Sequence, residues 1–433
     1  MENSIENKDY LFKLPIRLNA NLKLQEFQTQ TQELDFLVFV DDRQYHLNSS
    51  MFKLIKTIEK YDNLEDITKE YSTIQNEEYQ INDVAIVIND FLAKKGIVET
   101  INPIELAKRG SFLYFKRTIF PQNFLEPISN VFQHLFQPTI AKILVLLIIS
   151  AYYYFFVSFY NKINLSDLLN SPGTLMLTFV ILTVSSLFHE IGHISACHYY
   201  GVKHGEVGIG IYLRFPVMYA NLSNTWSLPG TKRAVIDIAG IYFQLVLNVL
   251  FFILFLLTNQ KVYIYAVQVI GIQSLLSLNP FLRFDGYWLA TDLLGIPNLR
   301  QRSAEIIEYF ISKYIIQKKN LKAPITLSIK PKFLYSFFFY ALISNLFLVY
   351  FLIIMFFYLP NMLRVFPSEI LTLYKGFMHE FSIQQYFKGI SDVFKILIKS
   401  LFLGISIYFF FRMLIYLYNT IKKYILIAIN EKK

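Results

Sequence analysis

Apolar positions follow two different rhythms along this chain. From residue 138 onward they fill long runs, at 138–160, 172–189, 234–257, 263–282, 333–358 and 393–418. A helix rises 1.5 Å per residue, so about 20 apolar residues cross a hydrocarbon core of about 30 Å. With no water there to satisfy backbone groups, each run is expected to be helical. The pattern therefore predicts a polytopic α-helical membrane protein with six transmembrane helices. The first 135 residues hold no comparable run and open with no basic, apolar and small cleavage pattern, so the expectation is a soluble segment without a signal peptide.

In that segment the rhythm is shorter. Leu37-Val38-Phe39-Val40, then Asp41-Asp42-Arg43, then Gln44-Tyr45-His46-Leu47 reads as a β-hairpin over 35–47. Asn48-Ser49-Ser50 is placed to cap a helix over 51–60, Asn63 one over 64–72, and Asn82 one over 83–94 that stops at Lys94-Lys95-Gly96. A hairpin with three amphipathic helices predicts a small α+β, winged-helix-like domain over 1–110. Residues 111–137 carry Phe112, Leu113, Tyr114, Phe115, Phe120, Phe124, Leu125, Phe132 and Phe136 with few charges. They read as an amphipathic linker on the membrane surface, or as a linker packed on the head.

Charge adds orientation. The connections 199–233 and 283–332 are rich in Lys and Arg, whereas 161–171, 258–262 and 359–392 carry only Lys162, Lys261, Arg364, Lys375 and Lys388. Basic connections stay on the cytoplasmic side, so both termini are expected in the cytoplasm, and the basic tail at Lys422, Lys423, Lys432 and Lys433 agrees. Residues 1–110 hold 13 Lys+Arg against 19 Asp+Glu, net −6, while the whole chain is +9. An acidic head argues against nucleic acid as a partner. The basic excess elsewhere suits anionic lipid. Cys197 is the sole cysteine, which excludes a disulfide within the chain.

The candidate chemistry lies at the end of the second apolar run, in His189-Glu190-Ile191-Gly192-His193. Residues four apart on a helix project from one face one turn apart, which is zinc-ligand spacing, and Glu190 is placed to take a proton from water at the metal. Ionisable groups inside a span cost roughly 2.5–3.5 kcal/mol each at its centre and are normally functional. A catalytic site needs a third protein ligand. Asp285, in Leu278-Asn279-Pro280-Phe281-Leu282-Arg283-Phe284-Asp285-Gly286 at the cytoplasmic end of the fourth run, matches the depth of the two histidines. His198 and His204 are expected at the surface or behind the ligands. Val207-Gly208-Ile209-Gly210-Ile211-Tyr212-Leu213 reads as a strand whose exposed edge is able to hold substrate extended, or else as a plain re-entrant hairpin.

These motifs resemble the site-2 protease family of membrane-embedded zinc peptidases, in which Asn-Pro is followed by Asp-Gly with the Asp six residues after the Asn, as from Asn279 to Asp285. The resemblance implies that His189, His193 and Asp285 bind Zn2+, that Glu190 is the general base, and that Asn279 positions substrate or the oxyanion. Gly240 and Asn248 match the family's intermediate motif, with Ile241 where a proline is common. Phe215-Pro216-Val217-Met218-Tyr219-Ala220-Asn221 and Ser223-Asn224-Thr225-Trp226 are similar to the peptide zinc metalloprotease branch found beside modified-peptide genes. This similarity covers about 175–300.

Tyr45-His46-Leu47-Asn48 and Phe91-Leu92-Ala93-Lys94-Lys95-Gly96-Ile97-Val98 resemble the peptide-recognition domain related to the pyrroloquinoline quinone peptide chaperone, in which a precursor's leader adds as a strand to the hairpin edge. The alternative for that region is a generic winged helix. Together these resemblances imply a peptide-recognition domain at 1–110, a linker at 111–137, a zinc protease membrane core at 138–300, a cytoplasmic basic connection at 301–332 and two C-terminal spans with a basic tail at 333–433. The implied activity is cleavage of a ribosomally synthesised, post-translationally modified precursor peptide at the cell membrane, coupled to an exporter. The alternatives are a site-2-type protease of a single-span signalling protein and a non-catalytic leader-binding transport or immunity component.

Overall fold

The computed structural model describes residues 12, 14–27, 35–40, 43–101, 113–164, 167–168, 171–212, 215–296, 298–315, 327 and 331–430. The opening residues, the hairpin turn at Asp41-Asp42, most of the basic connection after 315 and the final Lys432-Lys433 lie outside them. The chain divides into two compact units, one within Met1–Phe112 and one beginning at Leu113.

The first unit has a three-stranded antiparallel sheet in the order β1 (Lys23–Phe27), β2 (Asp35–Val40), β3 (Arg43–Leu47). β2 and β3 are the expected hairpin, paired from Phe36↔Leu47 to Val40↔Arg43. β1 was not foreseen in the hydropathy pattern. α1 (Ser49–Lys60) starts where Asn48 Oδ1 accepts the Met51 amide at 2.9 Å, and α2 (Leu64–Gln75) where Asn63 Oδ1 accepts the Glu65 amide at 3.2 Å. Both caps satisfy amides that have no partner inside the helix.

α3 (Ile81–Val87) departs from expectation. The Gln80 carbonyl takes the first helical bonds, from Asp83 and Val84, so Asn82 lies inside the first turn instead of capping it. A π-turn over Ile88–Leu92 and a 3-10 turn over Ala93–Lys95 continue the helix to Gly96, whose φ of +70° suits a residue without Cβ. The apolar faces close on Val38, Leu47, Leu54, Ile55, Ile67, Ile88 and Leu92, all buried.

The second unit is mainly helical, and five of its helices are long and apolar enough to cross a membrane: Pro138–Ser158, Pro172–Tyr199, Gly230–Thr258, Phe333–Ser382 and Lys388–Asn419. The first three are α5, α6 and α7 in full, and α4 (Gln122–Phe132) precedes them. The expected fourth span is instead the 17-residue α8 (Lys261–Ser277). At 1.5 Å per residue it is about 25 Å long, at the lower limit for crossing a hydrocarbon core of about 30 Å. Its apolar run continues to 282, but Asn279-Pro280 breaks the helix, because proline disfavours the helical conformation of the residue before it. α9 (Asp285–Leu294) and α10 (Leu299–Phe310) follow. Thus part of the expected basic connection, 301–315, is helical, and α10 packs against the next long helix.

The last two long helices extend beyond their apolar runs. α11 (Pro331–Ser382) and α12 (Tyr386–Asn430) have 52 and 45 residues, and a short turn at 383–385 joins them with Gln384 at φ +61°. Residues 359–392, expected as a connection, are almost wholly helical. Their charges hide a helical apolar rhythm at Met362, Phe366, Ile370, Leu373 and Phe377, all half-buried.

A second sheet, in the order β4 (Tyr114–Phe120), β5 (Val207–Tyr212), β6 (Phe215–Ala220), accompanies the helices. It corrects two expectations. The segment read as a surface linker is partly strand β4 and partly helix α4, which packs on α6. β5, expected to offer an exposed edge, is central, because β4 pairs with one side of it and β6 with the other. β6 has no further strand on its outer side among the described residues.

Candidate metal centre

α6 and α7 pack closely because Gly192 sits directly against the Ala239 carbonyl, where no side chain fits. That approach brings His189 and His193 of α6 against Ile236, Gly240 and Gln244, which recur every fourth residue on α7 and so share one face. A Cβ at Gly240 would stand 2.5 Å from Nε2 of each histidine. Glycine at 240 is therefore what lets both rings lie there.

The hydrogen bonds determine which nitrogen of each ring is free. His189 Nδ1 meets Gln244 Oε1 at 3.0 Å, and His193 Nδ1 meets the Ile236 carbonyl at 2.7 Å. Carbonyl oxygens only accept, so each Nδ1 carries the proton and each Nε2 presents its lone pair. Gln244 is itself oriented by its amide donating to Ser185 Oγ at 3.2 Å. The two Nε2 atoms are 3.1 Å apart.

Asp285 completes the group. It begins α9, after a turn in which Asn279 Oδ1 accepts the amides of Phe281 at 2.8 Å and Leu282 at 3.3 Å. Tyr212 on β5 accepts the Arg283 amide at 2.9 Å, and Tyr340 on α11 donates to the Pro280 carbonyl at 2.9 Å, so the turn is held from two sides. Burial pushes the Tyr212 phenol above its usual range, which keeps its hydroxyl intact. Gly286 lies directly against the Leu278 carbonyl, again with no room for a Cβ. Asp285 Oδ2 thereby reaches 2.9 Å from His189 Nε2, and Oδ1 3.6 Å from His193 Nε2.

His189, His193 and Asp285 are the group that the described residues offer for a metal, with one ligand atom from each lying within 4.8 Å of the others. Two nitrogens bound at about 2.0–2.1 Å to a tetrahedral ion stand about 3.3 Å apart, close to the separation of the two Nε2 atoms. Two imidazoles and a carboxylate suit zinc in its open, catalytic form, with a fourth position left for water. Glu190 is 8% exposed beside this group, with the backbone of Ala220 at the end of β6 close to its carboxylate.

No protein-family model matches the chain, and neither does any curated protein or solved structure. The site's geometry and its sequence motifs therefore carry the functional reading.

Other expected site residues fall elsewhere. Asn248 does not touch the ligands: its amide donates to Tyr152 Oη at 2.6 Å and to the Val267 carbonyl at 3.0 Å, tying α7 to α5 and α8. The residue that reaches the site is Gln244, one helical turn after Gly240, a spacing visible in the sequence. Asn279 spends its carbonyl oxygen on shaping the turn, which leaves its amide nitrogen for any contact with substrate. His198 and His204 meet at Ser129 on α4, with His198 Nδ1 at 3.2 Å and His204 Nε2 at 3.3 Å from its hydroxyl. They join α4 to the end of α6 and are not in the metal group.

Proposed function

We propose that this chain is a membrane-embedded zinc endopeptidase of the site-2 protease type. One observation carries the reading: the Nε2 lone pairs of His189 and His193 and the Asp285 carboxylate converge on a single point, with the Glu190 carboxylate buried beside it. Zinc held there supplies a Lewis acid for the peptide carbonyl and makes a water easier to ionise. Glu190 takes the proton from that water and passes it to the leaving amine nitrogen. A structural zinc site has no use for such a carboxylate and is usually closed by a fourth ligand.

The substrate is placed by strand addition at the outer edge of β6. That edge ends at Ala220, in contact with Glu190, and an extended segment there has no helical hydrogen bonds shielding its peptide carbonyl. The substrate class is a ribosomally synthesised, modified precursor peptide whose leader adds to the β3 edge of the winged-helix-like first unit. Both termini are cytoplasmic, following the basic connections, and the cleaved product passes to an exporter.

The deciding experiment expresses wild type and Glu190→Gln in membranes with the precursor peptide encoded nearest the gene, and seeks a new peptide terminus by mass spectrometry. A cut made only by wild type, with equal zinc in both proteins, is the expected result. A cut made equally by Glu190→Gln removes the catalytic assignment. A single-span membrane fragment in place of a small peptide moves the substrate to a signalling protein. Binding without any cut makes the chain a leader-binding transport or immunity component.

A further inference from the structure

A buried ion pair beyond the metal group has no part in the chemistry above. Arg233, near the start of α7, donates from Nε at 2.9 Å and from Nη2 at 2.6 Å to Asp292 Oδ1, and from Nη1 at 2.8 Å to the Leu228 carbonyl. Its guanidinium lies over the Trp226 ring, 5.0 Å from the centroid, and the Arg233 and Asp292 side chains are only 5% and 8% exposed. Asp237, one turn further along α7, lies close to Asp292, and its Oδ2 is buried without a hydrogen-bond partner among the described residues. Gly230 brings the backbones together, since a Cβ there would stand 2.8 Å from the Asp292 carbonyl oxygen.

This cluster links the two halves of the metal group. Asp292 lies seven residues, or two helical turns, after Asp285 on the same face of α9. Ile236, whose carbonyl orients His193, sits between Arg233 and Asp237 on α7. α9 has 10 residues, too few for an isolated helix to hold its shape. Its ligand is its first residue, where a rotation or slide of the helix moves the carboxylate most. A buried ion pair is a poor source of net stability, because desolvation offsets the attraction, but a forked guanidinium bond is directional and sets register.

We infer that Arg233 and Asp292 are positioning residues, a clamp that fixes α9 on α7 and so sets the Asp285 carboxylate at the right distance from His189 and His193. The inference rests on the metal reading proposed above.

The test uses the full-length chain in detergent with Arg233→Lys and Asp292→Asn. Three quantities are measured: zinc affinity by competition with a chromophoric chelator, the visible absorption of the cobalt(II)-loaded protein, and the unfolding temperature of the metal-free protein. Lysine keeps the charge and loses the fork, and asparagine keeps the shape and loses the charge. Both are expected to weaken zinc binding about 10–100-fold, the usual effect of removing a group that supports a ligand, and to shift the cobalt spectrum; Arg233→Lys, which keeps the buried charges paired, should leave metal-free unfolding within a few degrees of wild type, whereas Asp292→Asn strands the arginine charge and should lower it. Wild-type affinity and spectrum in both variants overturn the clamp. So does a loss of affinity that only tracks a collapsed metal-free unfolding temperature, which assigns the pair to general stability. If Arg233→Lys does not fold, the near-isosteric Asp292→Asn decides alone. A wild-type chain that takes up no zinc overturns the underlying metal reading, and the clamp with it.

Discussion

Gln244 and Asn248 are two amides one turn apart on the same apolar helix, and they do different work. Gln244 accepts from His189 Nδ1 and is itself held by Ser185, so it selects the tautomer that leaves Nε2 bare. Asn248 ties α7 to Tyr152 and to the α8 backbone. Replacing Gln244 with Leu should release the His189 ring and lower zinc affinity about 10–100-fold. Asn248→Leu should leave zinc affinity near wild type while lowering the unfolding temperature, since a buried tyrosine hydroxyl and a backbone carbonyl lose their partner. A chelator competition assay on both variants separates the roles, and equal losses of affinity would contradict the assignment. Asp285, Glu190 and the two histidines were legible in the sequence because polar residues in an apolar run need a reason. Gln244 was legible only as one more polar residue on α7, because its target lies 55 positions away.

At the scale of elements, the first unit stands on the inner faces of its helices. α1 buries Leu54, Ile55 and Ile58 against β2, β3 and α2. Leu54→Ala removes a fully enclosed side chain and is expected to destabilise this unit by about 2–5 kcal/mol. Circular dichroism in urea should show an early transition. Zinc content should be unchanged, because the ligands belong to the other compact unit. Loss of zinc in this variant would show that the two units do not fold separately.

The helices here were readable because hydropathy and caps are local signals. The second sheet was not. β4 pairs with β5 across nearly a hundred residues, Tyr114 with Ile211, and an aromatic stretch with two positive charges looks the same on a lipid surface as in a strand. The end of α8 was not readable for the opposite reason. Its apolar run passes through Asn279-Pro280, and hydropathy does not register where the backbone turns.

For the whole molecule, helix length sets how much of the chain a bilayer would enclose. α11 extends about 78 Å at 1.5 Å per residue, far more than a hydrocarbon core of about 30 Å, so much of the α11–α12 hairpin stands outside it. Glu369 and Lys399 meet across that hairpin at 2.6 Å, an exposed pair that adds little to stability. The proposed orientation, with both termini cytoplasmic, places the turn at Gln384 on the opposite side. The sole cysteine, Cys197, is buried, which makes a labelling test simple in a Cys197→Ser background. Gln384→Cys should react with a membrane-impermeant maleimide in intact cells, and Glu59→Cys only after the cells are opened. The reverse pattern would invert the orientation.

The sequence alone determined that this is a helix-rich chain with membrane-length apolar segments, that a distinct acidic unit precedes them, and that His189, His193 and Asp285 are able to form a metal group. Those conclusions follow from properties that residues keep wherever the chain goes: hydropathy, charge, helical spacing and ligand chemistry. Only the tertiary structure decided that Gln244 and not Asn248 backs His189, that β5 is a central strand with β6 at the edge beside Glu190, that α8 ends in a turn held by Tyr212 and Tyr340, and that Arg233 grips the helix of Asp285. Each of these depends on how closely two backbones approach. That distance is set at Gly192, Gly230, Gly240 and Gly286 by the side chain that is absent, and no single stretch of sequence states what will fill the space.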